Sequence, residues 1–169
     1  MGLGTWDLGL ETMLIGIIAI ARNFAIGKDG KLPWHYSSDL KFFKQTTSGN
    51  AVVMGHNTWM SLPKKPLPNR LNIVLSRTAK IEAQPNVLIM RDVESVLALK
   101  NYLSCDVFVV GGAKTYESFQ NVMDKWIVTE VPIKVEEADT FMPKDFLSGF
   151  QLKETKELEE SLSVRVYEK

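Results

Sequence analysis

Asp106-Val107-Phe108-Val109-Val110-Gly111-Gly112-Ala113-Lys114-Thr115-Tyr116-Glu117-Ser118-Phe119 passes from a β-branched apolar run, through a glycine pair, into a helix-like pattern. A strand with no polar alternation is apolar on both faces, which is the mark of a parallel sheet covered on both sides. The same apolar runs recur at 14–20, 51–54, 72–75, 87–90 and 126–131. Helical patterns separate several of them. One starts near Ser38-Asp39, and another follows Asp92, a good N-cap, with Val93, Val96, Leu97, Lys100 and Leu103 at helical spacing. Strand–helix alternation of this kind predicts one α/β domain over residues 14–169, with a mainly parallel, eight-stranded central sheet and about four flanking helices. The tail differs. Segments 150–155 and 161–167 alternate partially around an acidic turn and read as an antiparallel hairpin added at the end of the sheet.

Composition narrows the function. With 169 residues, 45% of them hydrophobic, the chain buries a substantial core. Twenty basic residues balance twenty acidic ones. That balance argues against nucleic acid as the partner. Two histidines and one cysteine give no metal-ligand spacing, so no metal is expected. The lone Cys105 excludes an intrachain disulfide framework and fits a reducing cytoplasm. The run 14–21 is too short to span a bilayer, so no membrane is expected. Residues 1–13 show no signal-peptide pattern and read as an N-terminal extension, with Met13 a candidate start.

In an open α/β sheet, ligands gather beyond the carboxyl ends of the strands. Three such ends here suit a phosphorylated ligand. Gly55-His56-Asn57-Thr58 offers a tight turn with amide and hydroxyl donors, Ser76-Arg77 a hydroxyl and a guanidinium, and Gly111-Gly112-Ala113-Lys114 a close backbone approach. A Gly-x-Gly-x-x-Gly fingerprint is absent. Asp39 admits two readings. Phe42 and Phe43 lie one helical turn along, so a carboxylate desolvated by their rings would keep a proton near neutral pH. Alternatively it is an ordinary first-turn acid favoured by the helix dipole.

The ordered motifs resemble the dihydrofolate reductase family, of the bacterial chromosomal type, from about Leu14 to the C-terminus. They are Ile26-Gly27, Leu32-Pro33-Trp34, Asp39-Leu40 with Phe42-Phe43-Lys44, Met54-Gly55 with Thr58-Trp59, and Pro66-Leu67-Pro68-Asn69-Arg70. Leu75-Ser76-Arg77, Val110-Gly111-Gly112 with Tyr116, Thr129, and Asp139-Thr140 with Pro143 complete the series. The resemblance implies reduction of 7,8-dihydrofolate to 5,6,7,8-tetrahydrofolate. Hydride would pass from NADPH to C6, with N5 protonation promoted by Asp39, to supply one-carbon metabolism and thymidylate synthesis. Asp39, Trp34 and Thr129 would form the catalytic set. Ile17, Ile18, Leu40, Phe43, Leu62, Leu67, Arg70, Val110 and Tyr116 would surround the substrate, with Arg70 on the carboxylate of its glutamate tail. The cofactor positions would be Ala19, Ile26 and Gly27, with Gly55-His56-Asn57-Thr58, Leu75-Ser76-Arg77 and Gly111-Gly112-Ala113-Lys114-Thr115. Segment 21–34 would be a loop that closes over the nicotinamide. Partners would be dihydrofolate and antifolate inhibitors, and the chain a monomer.

Four positions depart from the family pattern. His56 replaces an Arg near the cofactor phosphate, which leaves Arg77 more of the 2′-phosphate recognition. Ser37 replaces a proline before the catalytic acid and loosens entry into the helix. Ala138 replaces a glycine before Asp139, and a positive φ there would be strained. The stretch at Pro63-Lys64-Lys65 is one residue longer than in some relatives. Two other functions remain open at this point: the related reductase of riboflavin biosynthesis, which Arg70 and Asp39 beside Phe43 argue against, and a non-catalytic nucleotide-binding protein.

Overall fold

The computed structural model describes residues 11–169, so most of the N-terminal extension lies outside the described residues. An eight-stranded sheet forms the centre. Its strands are β1 (Leu14–Ala21), β3 (Ala51–Gly55), β4 (Leu71–Leu75), β5 (Val87–Met90), β6 (Val107–Gly111), β7 (Lys125–Val131), β9 (Gln151–Glu157) and β10 (Ser163–Glu168). They lie in the order β5-β4-β3-β6-β1-β7-β10-β9. All neighbours from β5 to β7 run parallel, and β10 and β9 close the edge antiparallel. The sheet and the C-terminal hairpin are those expected from the apolar runs.

The α-helices are α1 (Ser37–Thr47), α2 (His56–Ser61), α3 (Val93–Lys100) and α4 (Ala113–Phe119). Asp92 caps α3 as its residue type predicts, accepting from the Ser95 amide at 2.8 Å. Two core layers cover the two faces of the sheet. Their separation follows from strand alternation: Ile15 and Ile17 point to one face, Leu14, Ile18 and Ile20 to the other. Cys105 is half-buried at the mouth of β6, and burial pushes its thiol above the ordinary value.

A second, two-stranded sheet had no sequence signal. It joins β2 (Ala25–Gly27) to β8 (Thr140–Phe141). Strands this short have no periodicity to read, and they form because distant segments meet.

Candidate active site

Helix α1 begins after Tyr36, an extended residue whose side chain makes no cap. Asp39 falls in its first turn, where the dipole favours a carboxylate. Burial outweighs that preference. Desolvation raises the Asp39 carboxyl above the ordinary carboxylate value, and the Thr129 hydroxyl opposing it pulls the value part of the way back. The two readings of Asp39 therefore describe one residue: a first-turn acid that is also desolvated. Thr129 is 2% exposed on β7, paired in register with Ala19 of β1 and Val164 of β10. Nearby, the Tyr116 hydroxyl donates to the Ile17 carbonyl at 2.7 Å. Burial, then the charge of Asp39, pushes that phenol above its ordinary value. The indole Nε1 of Trp34 is buried with no partner among the described residues, a donor left for a bound polar group.

From Asp39 an apolar face runs along the sheet. Ile17, Phe42, Phe43, Leu62, Leu67 and Val110 pack on this side. Ile18 does not. Its side chain belongs to the opposite core with Tyr116, so only its backbone can serve a ligand on the Asp39 side. Leu40 is 47% exposed on α1.

Arg70 lies on the same face, its guanidinium carbon 6.0 Å from the Phe43 ring centre. It is nearly buried, and burial lowers its pKa from the ordinary value. Nε donates to the Pro68 carbonyl at 2.9 Å and Nη1 to the Thr47 hydroxyl at 3.0 Å. Two of the five guanidinium donors are thereby fixed, and the rest keep the planar geometry that suits a carboxylate.

The three strand ends also meet at one edge of the fold. An ideal Cβ on Gly55 would stand 2.8 Å from the Thr115 hydroxyl, and one on Gly112 3.6 Å from the Thr58 hydroxyl. Gly111 has φ +128, a conformation open to glycine. Helices α2 and α4 start at His56 and Ala113 after glycines that provide no side-chain cap, which leaves their first amides for another acceptor. Thr115 is buried against Gly55, whereas Lys114 is exposed. Arg77 is exposed after β4, beside Ser76, whose hydroxyl accepts from the Ala79 amide at 3.0 Å. His56 and Asn57 stand at the start of α2, Leu75 ends β4, and Ala19 is the one half-open position in β1.

A family model described as dihydrofolate reductase matches residues 13–167. This chain belongs to the dihydrofolate reductase family. The chain is 40% identical over 133 residues to dihydrofolate reductase of Neisseria gonorrhoeae, covering 76% of this chain and 77% of that one. It is also 40% identical over 153 residues to the bifunctional dihydrofolate reductase-thymidylate synthase of Daucus carota, covering 80% of this chain. It spans 29% of the length of that plant relative. Among solved structures, dihydrofolate reductase from Enterococcus faecalis complexed with NADP(H) and RAB-propyl superposes with a TM-score of 0.82 at 32% identity. That superposition covers 92% of this chain and 95% of the other.

In this dihydrofolate reductase-family chain, segment 21–34 is held by specific contacts. Asp29 (φ 50) and Gly30 (φ +76) form a tight turn closed by reciprocal Lys28–Lys31 backbone bonds of 2.8 and 3.0 Å, as an Asp-Gly pair favours. Asp139 accepts from the Asp29 amide at 2.9 Å and donates its own amide to the Gly27 carbonyl at 3.1 Å. Lys28 pairs with Glu137 at 2.8 Å. Ile26 packs partly buried on the core beside Phe24. Ala138 is not among the residues of positive φ, so its side chain brings no backbone strain.

Sequence reasoning missed residues that act through others. Asn72 is fully buried, accepts from the Leu67 amide at 2.9 Å and donates to the Leu67 and Arg70 carbonyls at 3.0 Å each. Its signal was available: an amide inside an apolar strand needs partners. Arg91 ties down the turn after β4 through the Ser76 and Ala79 carbonyls, at 3.0 and 2.9 Å. No local pattern marks it.

Proposed function

We propose that the chain reduces 7,8-dihydrofolate to 5,6,7,8-tetrahydrofolate with NADPH, and that its product feeds one-carbon transfer and thymidylate synthesis. The observation that carries this reading is a single desolvated carboxyl, Asp39, opposed by Thr129, at one end of an apolar face that also holds the fixed guanidinium of Arg70. A flat, partly polar heterocycle joined to an anionic tail matches that spacing of chemistry. Asp39 binds the ring N–H groups and, because burial holds its pKa up, favours a proton at N5. Thr129 keeps the carboxyl in place, and the Trp34 indole N–H supplies a donor at the edge of the ring. Arg70 takes the tail carboxylate.

The strand-end cradle fits a dinucleotide phosphate: glycines where a side chain would crowd Thr115 or Thr58, uncapped helix amides, and exposed Arg77 beside Ser76. When bound there, NADPH supplies the hydride. Gly111, Gly112 and Ala113 would lie against its backbone, with Thr58, Ser76 and Arg77 on its phosphates and Ala19 beside the ring. The loop 21–34, pinned by Asp139, excludes water.

The test is oxidation of NADPH in the presence of dihydrofolate, with Asp39→Ala alongside. Turnover by the parent and its loss in the variant is the expected result. Folded protein without turnover rejects the reading, and an active Asp39→Ala rejects the role of the acid.

A further inference from the structure

Helix α1 has no side-chain cap of its own, yet a first-turn amide and two first-turn hydroxyls find acceptors across the molecule. The Ser38 amide donates to the Glu160 carboxylate at 2.7 Å, and the Ser37 hydroxyl reaches the same oxygen at 3.3 Å. The Ser38 hydroxyl donates to the Glu159 carbonyl at 3.0 Å. Resting on the reductase reading above, we propose that Glu160 is a positioning residue for Asp39, a cap supplied by a distant turn of the same chain that sets the acid's place against Thr129.

Three features support this. Glu160 sits in the β9–β10 turn, and both it (φ 65) and Ser161 (φ 63) adopt the left-handed conformation. Neither is Gly or Asn, the residues that take such a turn without strain. Local preference has been overridden, and the contact with α1 is where that turn points its carboxylate. The turn is also rigidly founded: Leu162 is fully buried, and the Leu158 amide donates to its carbonyl at 2.9 Å. Finally, β10 leaves this turn and pairs Val164 directly with Thr129. The cap and the opposing hydroxyl therefore belong to one register-locked unit, and the helix bearing Asp39 is fastened to it at Ser38. The carboxylate also lies at the positive end of α1, and its pKa is held down first by the Ser38 amide. The serines at 37 and 38 thus have a purpose: where a proline would preset helix entry, this chain uses an external acceptor.

The experiment compares Glu160→Ala and Glu160→Gln in the full chain, each in the parent and in an Asp39→Asn background. Glu160→Ala is expected to lower kcat for dihydrofolate roughly 10- to 100-fold, as small misplacement of a reacting group does, with KM changed less than about twofold if tail binding is untouched. Glu160→Gln keeps an acceptor oxygen and should restore most of that loss. In the Asp39→Asn background the alanine change should have almost no further effect, because the residue it acts through is gone. A kcat near that of the parent, equal losses in both backgrounds, or glutamine no better than alanine would each overturn the positioning role. Hydrogen exchange at the Ser38 amide reads the cap independently of activity. It should accelerate in Glu160→Ala, and an unchanged rate overturns the cap itself. A parent without turnover would reject the reductase reading, and with it the positioning role, while this exchange rate still decides whether the cap exists. Should the alanine variant fail to fold, the glutamine variant's kcat decides: near-parent activity supports an acceptor role, and a loss as large as that of Asp39→Asn overturns it.

Discussion

The Arg70 guanidinium and the Thr47 hydroxyl meet at 3.0 Å, and that hydroxyl in turn donates to the Phe43 carbonyl at 2.8 Å. One buried hydroxyl so couples the last turn of α1 to the residue assigned to the substrate's tail. Lysine carries the same charge but cannot hold Pro68, Thr47 and a carboxylate in one plane. Arg70→Lys should raise KM for dihydrofolate about 10- to 100-fold, the equivalent of charged hydrogen bonds worth roughly 1.5–3 kcal/mol, and leave kcat within a few-fold. Thr47→Val should move KM in the same direction but less. Steady-state kinetics decide, and an unchanged KM in Arg70→Lys would remove the tail contact from the proposal.

Asp39 couples activity against stability. Its carboxyl titrates above the ordinary value because it is desolvated. Between the ordinary value and the raised one, the folded chain binds more protons than the unfolded chain, so this residue's contribution worsens as pH climbs through that window. Asp39→Asn removes the buried charge. It should lose about 10²–10⁴-fold in turnover, the usual worth of a positioned acid, while melting at a higher temperature than the parent at pH 7. The gap should narrow as pH falls through the ordinary carboxylate value, because below it the parent's acid is neutral in both states. Paired melts across pH measure this, and a less stable asparagine variant at pH 7 would contradict the desolvation account.

Asn72 organises the loop that presents Leu67 and Arg70. Asn72→Ala leaves the Leu67 amide and the Leu67 and Arg70 carbonyls unmatched in a buried site. The expected cost is about 1–3 kcal/mol in urea unfolding. Because both neighbours shift, KM for dihydrofolate should rise with it. Asn72→Asp can still accept from Leu67 but donates nothing and buries a charge, so it should be worse than alanine. An aspartate variant as stable as the parent would show that the amide's donors are dispensable.

What the sequence made legible follows the physics of locality. β1, β3, β4, β6 and β7 were readable because a buried parallel strand is a continuous apolar run, and Asp92 because a cap needs only the next residues. The edge strand β9 was read two residues short, since Lys156 and Glu157 carry no apolar signal on a strand exposed along its length. α2, six residues long, has too few turns to show a period. At the site, Asp39 was legible from the rings one turn along the same helix, and Thr129 and Arg70 through family motifs, but the residues that brace Arg70 and the start of α1 were not. Thr47, Asn72 and Glu160 act across long stretches of chain or through turns, where no spacing rule applies. Ile18 offers only its backbone to a ligand on the Asp39 side, because adjacent strand residues cannot share a face.

Gly16 tests whether packing behind the site reaches it. In β1 it is flanked by Val109 of β6 and Trp126 of β7, and an ideal Cβ would stand 2.4 Å from the Trp126 ring. That ring is fully buried, edge-on to Phe146 at 5.1 Å and tilted against Tyr116 at 5.6 Å. Gly16→Ala must displace it at an overpacking cost of about 1–3 kcal/mol. The displacement passes to Tyr116, whose hydroxyl holds the Ile17 carbonyl, so kcat should fall along with the melting temperature. Trp126→Phe frees the space, and its lost indole N–H had no partner among the described residues. The double variant should therefore be more stable than the sum of the two single changes predicts. Strictly additive costs would show that the alanine is accommodated by backbone movement rather than by the ring.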